Sequence, residues 1–140
     1  VAGRHWSVLP AGMQEQFTSA TFRVGASSDR MGYRLEGVGL ESGEGGDIAS
    51  EAVAFGTIQL PPDGNPIVLM ADRQTIGGYP RLGEVASADL PLLAQLKPGD
   101  ALRFERIALA DAQTLAYMQA VALKQMGASV AANLKAWVER

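Results

Sequence analysis

The sequence predicts a mainly β protein that ends in one long helix. Short apolar stretches with alternating polarity recur through the first hundred or so residues, and glycine or proline separates them. The segment 111–140 contains no proline and carries apolar residues at three- and four-residue spacing. The first pattern is typical of short strands in a barrel or a sandwich, and the second is typical of an amphipathic helix.

Three segments are predicted in order. Residues 1–16 are interpreted as a lead-in segment, because Pro10 and Gly12 mark a turn before any periodic pattern begins. Residues 17–110 hold the strand patterns and are expected to form the body, and residues 111–140 form the helix. At 140 residues the chain is long enough for one domain with its own core.

Two half-buried strands are predicted early in the body. Phe22 and Val24 alternate with polar residues or glycine, and Tyr33 and Leu35 do the same. The glycine-rich acidic stretch 41–47 follows, and we expect it to form an exposed loop.

A hairpin is predicted around the turn sequence PPDG at 61–64, where proline and glycine occupy favoured turn positions. Ile58 and Leu60 lead into this turn. The unbroken apolar run 67–71 after it is typical of a strand that is covered on both faces. A second turn, KPGD at 97–100, precedes one more alternating stretch.

The C-terminal helix is predicted to start at Asp111, which we interpret as its N-cap. Its apolar stripe consists of Leu115, Met118, Ala122, Met126, Val130, Leu134 and Trp137. Gln119 and Asn133 interrupt this stripe. We therefore expect the helix to pack on the body or on a partner chain without forming a regular coiled coil.

Composition excludes several classes of function. The net charge is -3 and the basic residues are scattered, so nucleic acid is not expected as a partner. With no cysteine and one histidine, the chain lacks the usual ligands of a zinc site, and no metal is expected. No apolar run is long enough for a membrane span and no signal-peptide pattern is present, so a cytoplasmic protein without a membrane partner is expected.

Five unusual stretches carry a family resemblance. They are SDRMGYRL at 28–35, SE at 50–51, IQLPPDGNPIVL at 58–69, ADRQTIGGYP at 71–80 and SADLPLLAQLKPGD at 87–100. On these stretches the chain resembles the C-terminal part of the biotin-dependent carboxyltransferase family, which includes the C-type subunit of 5-oxoprolinase, the KipA proteins and allophanate hydrolase subunit 2. Ile76 departs from the QTTGGYP pattern of that family, and Ala11 departs from its VLPGP pattern.

The resemblance implies a cyclophilin-like β-barrel with short helices over residues 17–110. It also implies a hydrolase subunit of the 5-oxoprolinase or allophanate hydrolase type, in a complex that acts on a small cyclic amide or urea-derived substrate, as in the ATP-dependent hydrolysis of 5-oxoproline. The implied partners are a KipI-like protein, or B-type 5-oxoprolinase subunit, and the first half of the usual C-type polypeptide. Because the chain has no P-loop sequence, ATP is expected to bind elsewhere in that complex. No cofactor is expected on this chain alone.

Two other functions are compatible with the same resemblance. One is a carboxyltransferase module that moves a carboxyl group to urea from carboxybiotin carried by a partner. The other is a KipA-like regulatory protein, without turnover, that binds a KipI-like partner. In the second case the C-terminal helix and the acidic loop would be interaction surfaces.

The loop 71–80 holds the first group of candidate site residues. Gln74 can donate and accept hydrogen bonds at once, which suits an amide or ureido group, and glycines without a Cβ allow close approach of the backbone. The predicted catalytic residues are Asp72, Gln74 and Tyr79. The predicted substrate-binding residues of this loop are Arg73, Thr75, Gly77 and Gly78. The same sequence also suits a tight turn in which Tyr79 packs on the body and Asp72 pairs with Arg73.

A second candidate group lies upstream. Asp29, Arg30 and Arg34 are predicted to bind substrate, because two arginines near one another can hold a carboxylate in bidentate fashion. The resemblance implies substrates or carriers with a carboxylate, such as 5-oxoproline and carboxybiotin. The alternative is a turn at Asp29 with both arginines on a solvated face.

Overall fold

The computed structural model describes residues 1–40 and 48–138. The predicted acidic loop at 41–47 lies outside the described residues. The strands are β1 (Phe22–Val24), β2 (Gly32–Glu36), β3 (Glu51–Ala52), β4 (Thr57–Gln59), β5 (Ile67–Leu69), β6 (Ile76–Gly77), β7 (Arg81–Glu84) and β8 (Ala101–Leu102). The helices are a 3-10 turn (Trp6–Val8), α1 (Ala11–Ser19), α2 (Leu90–Leu93) and α3 (Leu109–Val138).

Six of the strands form one antiparallel sheet in the order β7-β4-β5-β2-β1-β8. β3 and β6 form a separate two-stranded antiparallel sheet. The prediction of a mainly β protein with a C-terminal helix is confirmed. In the described part of the chain the large sheet is open, because no ladder joins β7 to β8. The cyclophilin-like barrel stays a prediction.

The hairpin predicted around the PPDG turn is confirmed. β4 and β5 pair antiparallel, with Ile58 opposite Val68 and Gln59 opposite Ile67. Gly64 ends the turn at a φ of +77°, a conformation that glycine adopts without steric cost. The turn packs closely on the chain at Leu40, whose N–H donates a hydrogen bond of 2.9 Å to the Gly64 carbonyl oxygen.

We expect Gly64→Ala to destabilise the fold by about 2–4 kcal/mol, because the new Cβ would meet the Leu40 carbonyl oxygen in a left-handed backbone conformation. Urea unfolding measures this change. Gly99→Ala is the matched control: Gly99 has a φ of +91°, but a Cβ there would meet no atom within 4 Å. The free energy of unfolding of the control should fall by only about 1–2 kcal/mol. Equal losses in the two variants would contradict the steric explanation.

The N-terminal residues contribute to the core, which the sequence analysis did not expect. α1 begins directly after Pro10 and continues across residue 16, and it buries Met13 and Phe17. Trp6 is also buried, with its ring centroid 5.8 Å from that of Phe17. Pro10 precedes the first helical residue, where its fixed φ and missing N–H are tolerated. The proline that was interpreted as part of a turn therefore marks the start of a helix.

The C-terminal helix is confirmed, with an earlier start than predicted. α3 begins at Leu109, so Asp111 lies in its first turn, where its charge is still favourable, and not at the N-cap. Ala112 is buried against the body, and the Gln119 side-chain amide donates a hydrogen bond of 3.3 Å to the carbonyl oxygen of Ala88. Within residues 1–40 and 48–138, no helix has the length and apolar character needed to cross a bilayer.

Candidate functional site

A polar cavity of about 520 Å³ lies between the start of β2, the β4–β5 hairpin and the loop that follows β5. This volume is within the range of small-molecule sites. Its polar lining residues are Ser27, Asp29, Arg34, Gln59, Asp63, Gln74 and Tyr79. They come from separate stretches of the chain, which the β4–β5–β2 ladder brings together.

Four of the predicted site residues line this cavity, namely Asp29, Arg34, Gln74 and Tyr79. The other six are not among its lining residues, namely Arg30, Asp72, Arg73, Thr75, Gly77 and Gly78. The structure thus unites two members of each predicted cluster in a single cavity and leaves the rest of both clusters outside it.

Arg34 is the cation of the cavity. It lies on β2 next to Leu35, which is fully buried, and the alternation of the strand turns Arg34 outward. Its backbone is held by Ser28, whose hydroxyl oxygen accepts the Arg34 N–H at 3.0 Å. Its guanidinium makes no hydrogen bond or ion pair with the described residues. The backbone is therefore fixed while the five N–H donors of the side chain stay available to a ligand.

Arg30 differs from Arg34 because it already has a partner. Its guanidinium donates to both carboxylate oxygens of Asp72, at 2.7 and 3.3 Å, and both side chains are exposed. The hydrogen bond from Arg30 holds the pKa of Asp72 below its usual range. This exposed pair joins the end of β5 to the start of β2, where the Asp72 N–H also donates to the Arg30 carbonyl oxygen at 2.9 Å.

We expect Asp72→Asn to keep the ligand affinity of the cavity within about twofold of the parent, because Asp72 does not line the cavity and its exposed ion pair with Arg30 contributes little to stability. The lowered pKa means that the pair stabilises the fold above the pKa of Asp72 in the unfolded chain and that this contribution is lost as pH falls through the folded value. Ligand titration at neutral pH measures the effect. A large loss of ligand affinity in Asp72→Asn would show that Asp72 takes part in ligand binding.

The two carboxylates of the cavity are each partly used by their own turns. Asp29 Oδ1 accepts the N–H groups of Met31 and Gly32 at 2.8 and 3.2 Å. Asp63 Oδ1 accepts the N–H of Asn65 at 3.1 Å. Aspartate commonly closes turns in this way. Both residues therefore shape the cavity wall, and each retains a second oxygen that could accept a proton or a hydrogen bond.

Gln59 lines the cavity although it is not among the predicted site residues. It is only 1% exposed. Its Nε2 donates a long hydrogen bond of 3.4 Å to the carbonyl oxygen of Tyr79. A Cβ on Gly77 would lie 2.5 Å from that same nitrogen. The available signal was a glutamine inside an otherwise apolar strand, with a diglycine further along the chain.

The loop after β5 is held by the small β3–β6 sheet and not by the tight turn considered as an alternative. Ile76 pairs with Ala52, and Gly77 pairs with Glu51. Glu51 in turn accepts a hydrogen bond of 2.6 Å from Arg4. Ile76, the departure from the family pattern, is 60% exposed and is not a lining residue of the cavity. The β3–β6 sheet, whose residues do not line the cavity, therefore anchors the loop. Gln74 and Tyr79 of the same loop line the cavity.

A second cavity, of about 530 Å³, lies between the outer strand β7, whose edge is bonded to residues 1–3, and the segment around β8, and it is mainly apolar. Residues of β7 and the segment around β8 line it, and none of the predicted site residues does. Among the described residues, no cluster of three or more histidine, cysteine, aspartate or glutamate side chains could hold a metal ion. A third cavity, of about 750 Å³ beside α1, is not lined by any predicted site residue either. The polar cavity is the candidate site because it brings together residues of both predicted clusters.

Chemically, the polar cavity combines one guanidinium without a partner among the described residues, two carboxamides, a phenol and the carboxylates of Asp29 and Asp63. The guanidinium suits a carboxylate, and Gln59 and Gln74 suit a lactam or ureido group, which both donates and accepts. The Tyr79 hydroxyl has no hydrogen bond to the described residues, and the residue is 44% exposed. Such a set suits a small acid that carries an amide, and within the described residues it holds no complete nucleophile–base pair.

The chain is similar to several known proteins. Residues 1–106 match the family model described as "Carboxyltransferase domain, subdomain A and B". The chain is 45% identical over 101 residues to the C-type 5-oxoprolinase subunit of Haemophilus influenzae, covering 72% of this chain and 33% of that protein. It is 38% identical over 99 residues to the C-type 5-oxoprolinase subunit of Escherichia coli, covering 71% and 32%.

A solved structure extends the likeness to the fold. The urea carboxylase of Kluyveromyces lactis superimposes with a TM-score of 0.71 at 26% identity, covering 81% of this chain and 11% of that one. The chain spans about a third of the curated 5-oxoprolinase relatives that it matches. The family match accounts for the body and stops before α3.

Proposed function

The chain belongs to the family of carboxyltransferase domains, subdomain A and B, and on that premise we propose that it supplies one wall of the substrate site in a protein of the 5-oxoprolinase C type. In this role it binds 5-oxoproline, or a closely similar small acid amide, while a complex hydrolyses the ring at the expense of ATP. The observation that carries the proposal is that one cavity is lined by both the guanidinium of Arg34, which has no partner among the described residues, and the buried amide of Gln59.

The shape of 5-oxoproline suits these groups. Its carboxylate can accept a bidentate hydrogen bond from Arg34, and its lactam N–H and C=O can be matched by the amides of Gln59 and Gln74. Hydrogen bonds to the lactam oxygen polarise the carbonyl group and favour attack at its carbon. The negative charge that then develops on the oxygen is stabilised by donors that are already in position. In this proposal the chain binds and orients the ring, and the attacking group comes from elsewhere in the complex.

The remaining parts of the enzyme are proposed to lie outside this wall. The chain spans about a third of its curated relatives, so other parts of such a protein are available to close the cavity. The relatives are themselves named as subunits, which supports an assembly of several chains. In this proposal one of the other chains is a KipI-like, or B-type, partner. ATP, for which this chain has no P-loop, would bind in that assembly.

Carboxyl transfer to urea is the second candidate function. It is favoured by the superposition on the Kluyveromyces lactis urea carboxylase, which covers 81% of this chain. Gln59 and Gln74 suit the ureido ring of biotin as well as they suit a lactam, and Arg34 suits its carboxylate. Carboxybiotin on a partner would supply the carboxyl group, while these side chains would orient the ring and the acceptor.

Recovery of the protein from its native cells separates the two functions. The full chain is captured, its partners are identified by mass spectrometry, and the captured material is probed for biotin. We expect proteins of the 5-oxoprolinase type and no biotinylated protein. A biotin carrier together with a carboxylase would instead establish carboxyl transfer. A partner of the KipI type alone, in cells where 5-oxoproline turnover does not depend on this chain, would favour the regulatory function.

Direct binding tests the site itself. The purified chain is titrated with 5-oxoproline, with urea and with proline, which lacks the lactam carbonyl, and chemical shifts of the tyrosine and side-chain amide signals are followed. We expect 5-oxoproline to perturb signals of Tyr79, Gln59 and Gln74, and proline to bind more weakly. Perturbations confined to residues of the apolar cavity would contradict the assignment of the polar cavity.

A further inference from the structure

The C-terminal half of α3 carries an apolar stripe that no described residue covers. Along this helix, apolar residues recur every seven positions at Leu109, Ala116, Leu123, Val130 and Trp137. A second series lies three positions later at Ala112, Gln119, Met126 and Asn133. This spacing is typical of a helix that packs against another helix. Gln119 and Asn133, which interrupt the apolar pattern, occupy equivalent positions in the second series.

The first half of this stripe is already used by the body of the protein. Ala112 is buried, and the Gln119 side chain is hydrogen-bonded to the Ala88 carbonyl. The second half continues past the body without a partner in the described chain. Its large side chains are between 57% and 74% exposed, and they are Leu123, Met126, Val130, Leu134, Trp137 and Val138. The body therefore covers the first half only at Ala112, since Leu109 is still 60% exposed, and the second half is exposed throughout.

The free half does not belong to the part of the chain shared with the family. The family model ends at residue 106, three residues before α3 begins. The sites of the shared domain therefore do not account for the stripe. Leaving six large apolar side chains in water is unfavourable, and patches of this kind mark interaction surfaces.

We propose that this half of α3 pairs antiparallel with the same half of α3 in a second copy of the chain. The six exposed side chains offer roughly 500 Å² per copy, taking about 80 Å² for each aliphatic side chain and about 150 Å² for tryptophan. A pair that covers most of this surface would bury about 800–1,000 Å² in total. This is the low end for a specific interface, so the dimer is weak and depends on concentration.

Charge and sterics favour a second copy in antiparallel orientation. At 100° per residue, Lys124 and Lys135 lie more than a quarter-turn away from the centre of the stripe, so two copies meet through uncharged surfaces. A parallel pair would bring both bodies to the same end of the helix pair. The antiparallel pair separates the bodies and the lysines, and it allows Met126 to face Val130 of the second copy.

The mass of the full chain in solution tests this proposal, which does not rest on the proposed function. Sedimentation equilibrium between about 1 and 300 µM covers the range in which an interface of this size associates. We expect the mass to rise from 14.8 kDa towards twice that value. Val130→Glu should weaken association by about 30-fold or more, because it buries a charge in the stripe. Ala132→Glu, which is exposed on the opposite side of the helix, should leave it unchanged.

Circular dichroism of both variants confirms that α3 is retained, so a loss of dimer in Val130→Glu alone supports the pairing. A parent chain that stays at 14.8 kDa throughout the concentration range would overturn the proposal. So would a dimer that survives Val130→Glu, since another surface would then hold it.

The orientation is tested by cross-linking, for which the absence of cysteine in the chain is convenient. Chains with Met126→Cys are mixed with chains with Val130→Cys and oxidised mildly. Antiparallel pairing predicts disulfide-linked mixed dimers. Chains with Trp137→Cys should not cross-link with themselves, because their ends lie far apart in an antiparallel pair. Efficient self-linking of Trp137→Cys would show a parallel arrangement and overturn the proposal.

Discussion

Arg34→Met is expected to weaken binding of 5-oxoproline by about 10- to 100-fold, the largest functional effect of any single substitution in the cavity. The guanidinium of Arg34 is the free cation among the described lining residues, and a charge-assisted hydrogen bond to a carboxylate contributes about 1.5–3 kcal/mol. Methionine keeps much of the length of the side chain and removes the charge and the donors. The dissociation constant from a titration with 5-oxoproline measures the effect.

Arg30→Met is the matched control for this substitution. Both arginines lie in the SDRMGYRL stretch, both are exposed, and both substitutions remove one positive charge. Arg30 is already bound to Asp72 and does not line the cavity, so we expect less than about a twofold change in affinity. If the two variants lost affinity equally, the effect would come from the overall charge of the surface. If only Arg30→Met lost affinity, the site would lie at the Arg30–Asp72 pair.

Gly77→Ala is expected to disturb the site through Gln59 and to lower both stability and binding. The new Cβ would lie 2.5 Å from Gln59 Nε2, and Gln59 is almost fully buried, so its amide can move only by giving up its hydrogen bond to Tyr79. Overpacking of this kind costs about 1–3 kcal/mol. We expect a corresponding loss of stability in urea unfolding and a loss of 5-oxoproline affinity of about tenfold, the affinity equivalent of about 1.4 kcal/mol.

Gly78→Ala provides the comparison within the same diglycine. A Cβ at Gly78 would approach the Ile48 carbonyl oxygen at 3.3 Å and the Ser50 hydroxyl at 3.4 Å, which requires only a small adjustment. We expect this variant to keep the parent affinity to within about threefold and to lose less than about 1 kcal/mol. If Gly78→Ala lost more affinity for 5-oxoproline than Gly77→Ala, the loop would approach its ligand through Gly78. The contact between Gly77 and Gln59 would then not matter for binding.

Local patterns in the sequence were sufficient for most of the secondary structure. Alternation predicted β1 and β2, the PPDG turn predicted the β4–β5 hairpin, and three- and four-residue spacing predicted α3. These features depend on residues close together in the chain, so periodicity and turn chemistry report them directly. The same reasoning missed α1, because the proline and glycine that commonly mark turns lie here at the start of a helix.

Four of the ten predicted site residues line the candidate cavity, and their assignment to a site stays a prediction. The sequence identified both clusters of polar residues but treated Arg30 and Arg34 alike, although Arg30 is paired with Asp72 and the Arg34 side chain has no partner among the described residues. It named Asp72 as catalytic and Asp29 as substrate-binding, and of these two only Asp29 lines the cavity. The partner of Arg30 lies 42 residues away, and the carbonyl that binds Gln59 lies 20 residues away. No local pattern reports contacts at such separations.

The sequence by itself determined the class of this protein: a strand-rich body, a hairpin at PPDG, a terminal helix, and the motifs of a carboxyltransferase-domain family. Those features follow from neighbouring residues and from unusual stretches that can be read directly. Only the tertiary structure decided which side chains meet. Pairing of β2 with β5 brings Arg34 beside the hairpin, and the β3–β6 sheet holds the loop over Gln59. The physical reason is that antiparallel registers, set by burial of residues such as Leu35 and Val68, decide which polar side chains share a cavity.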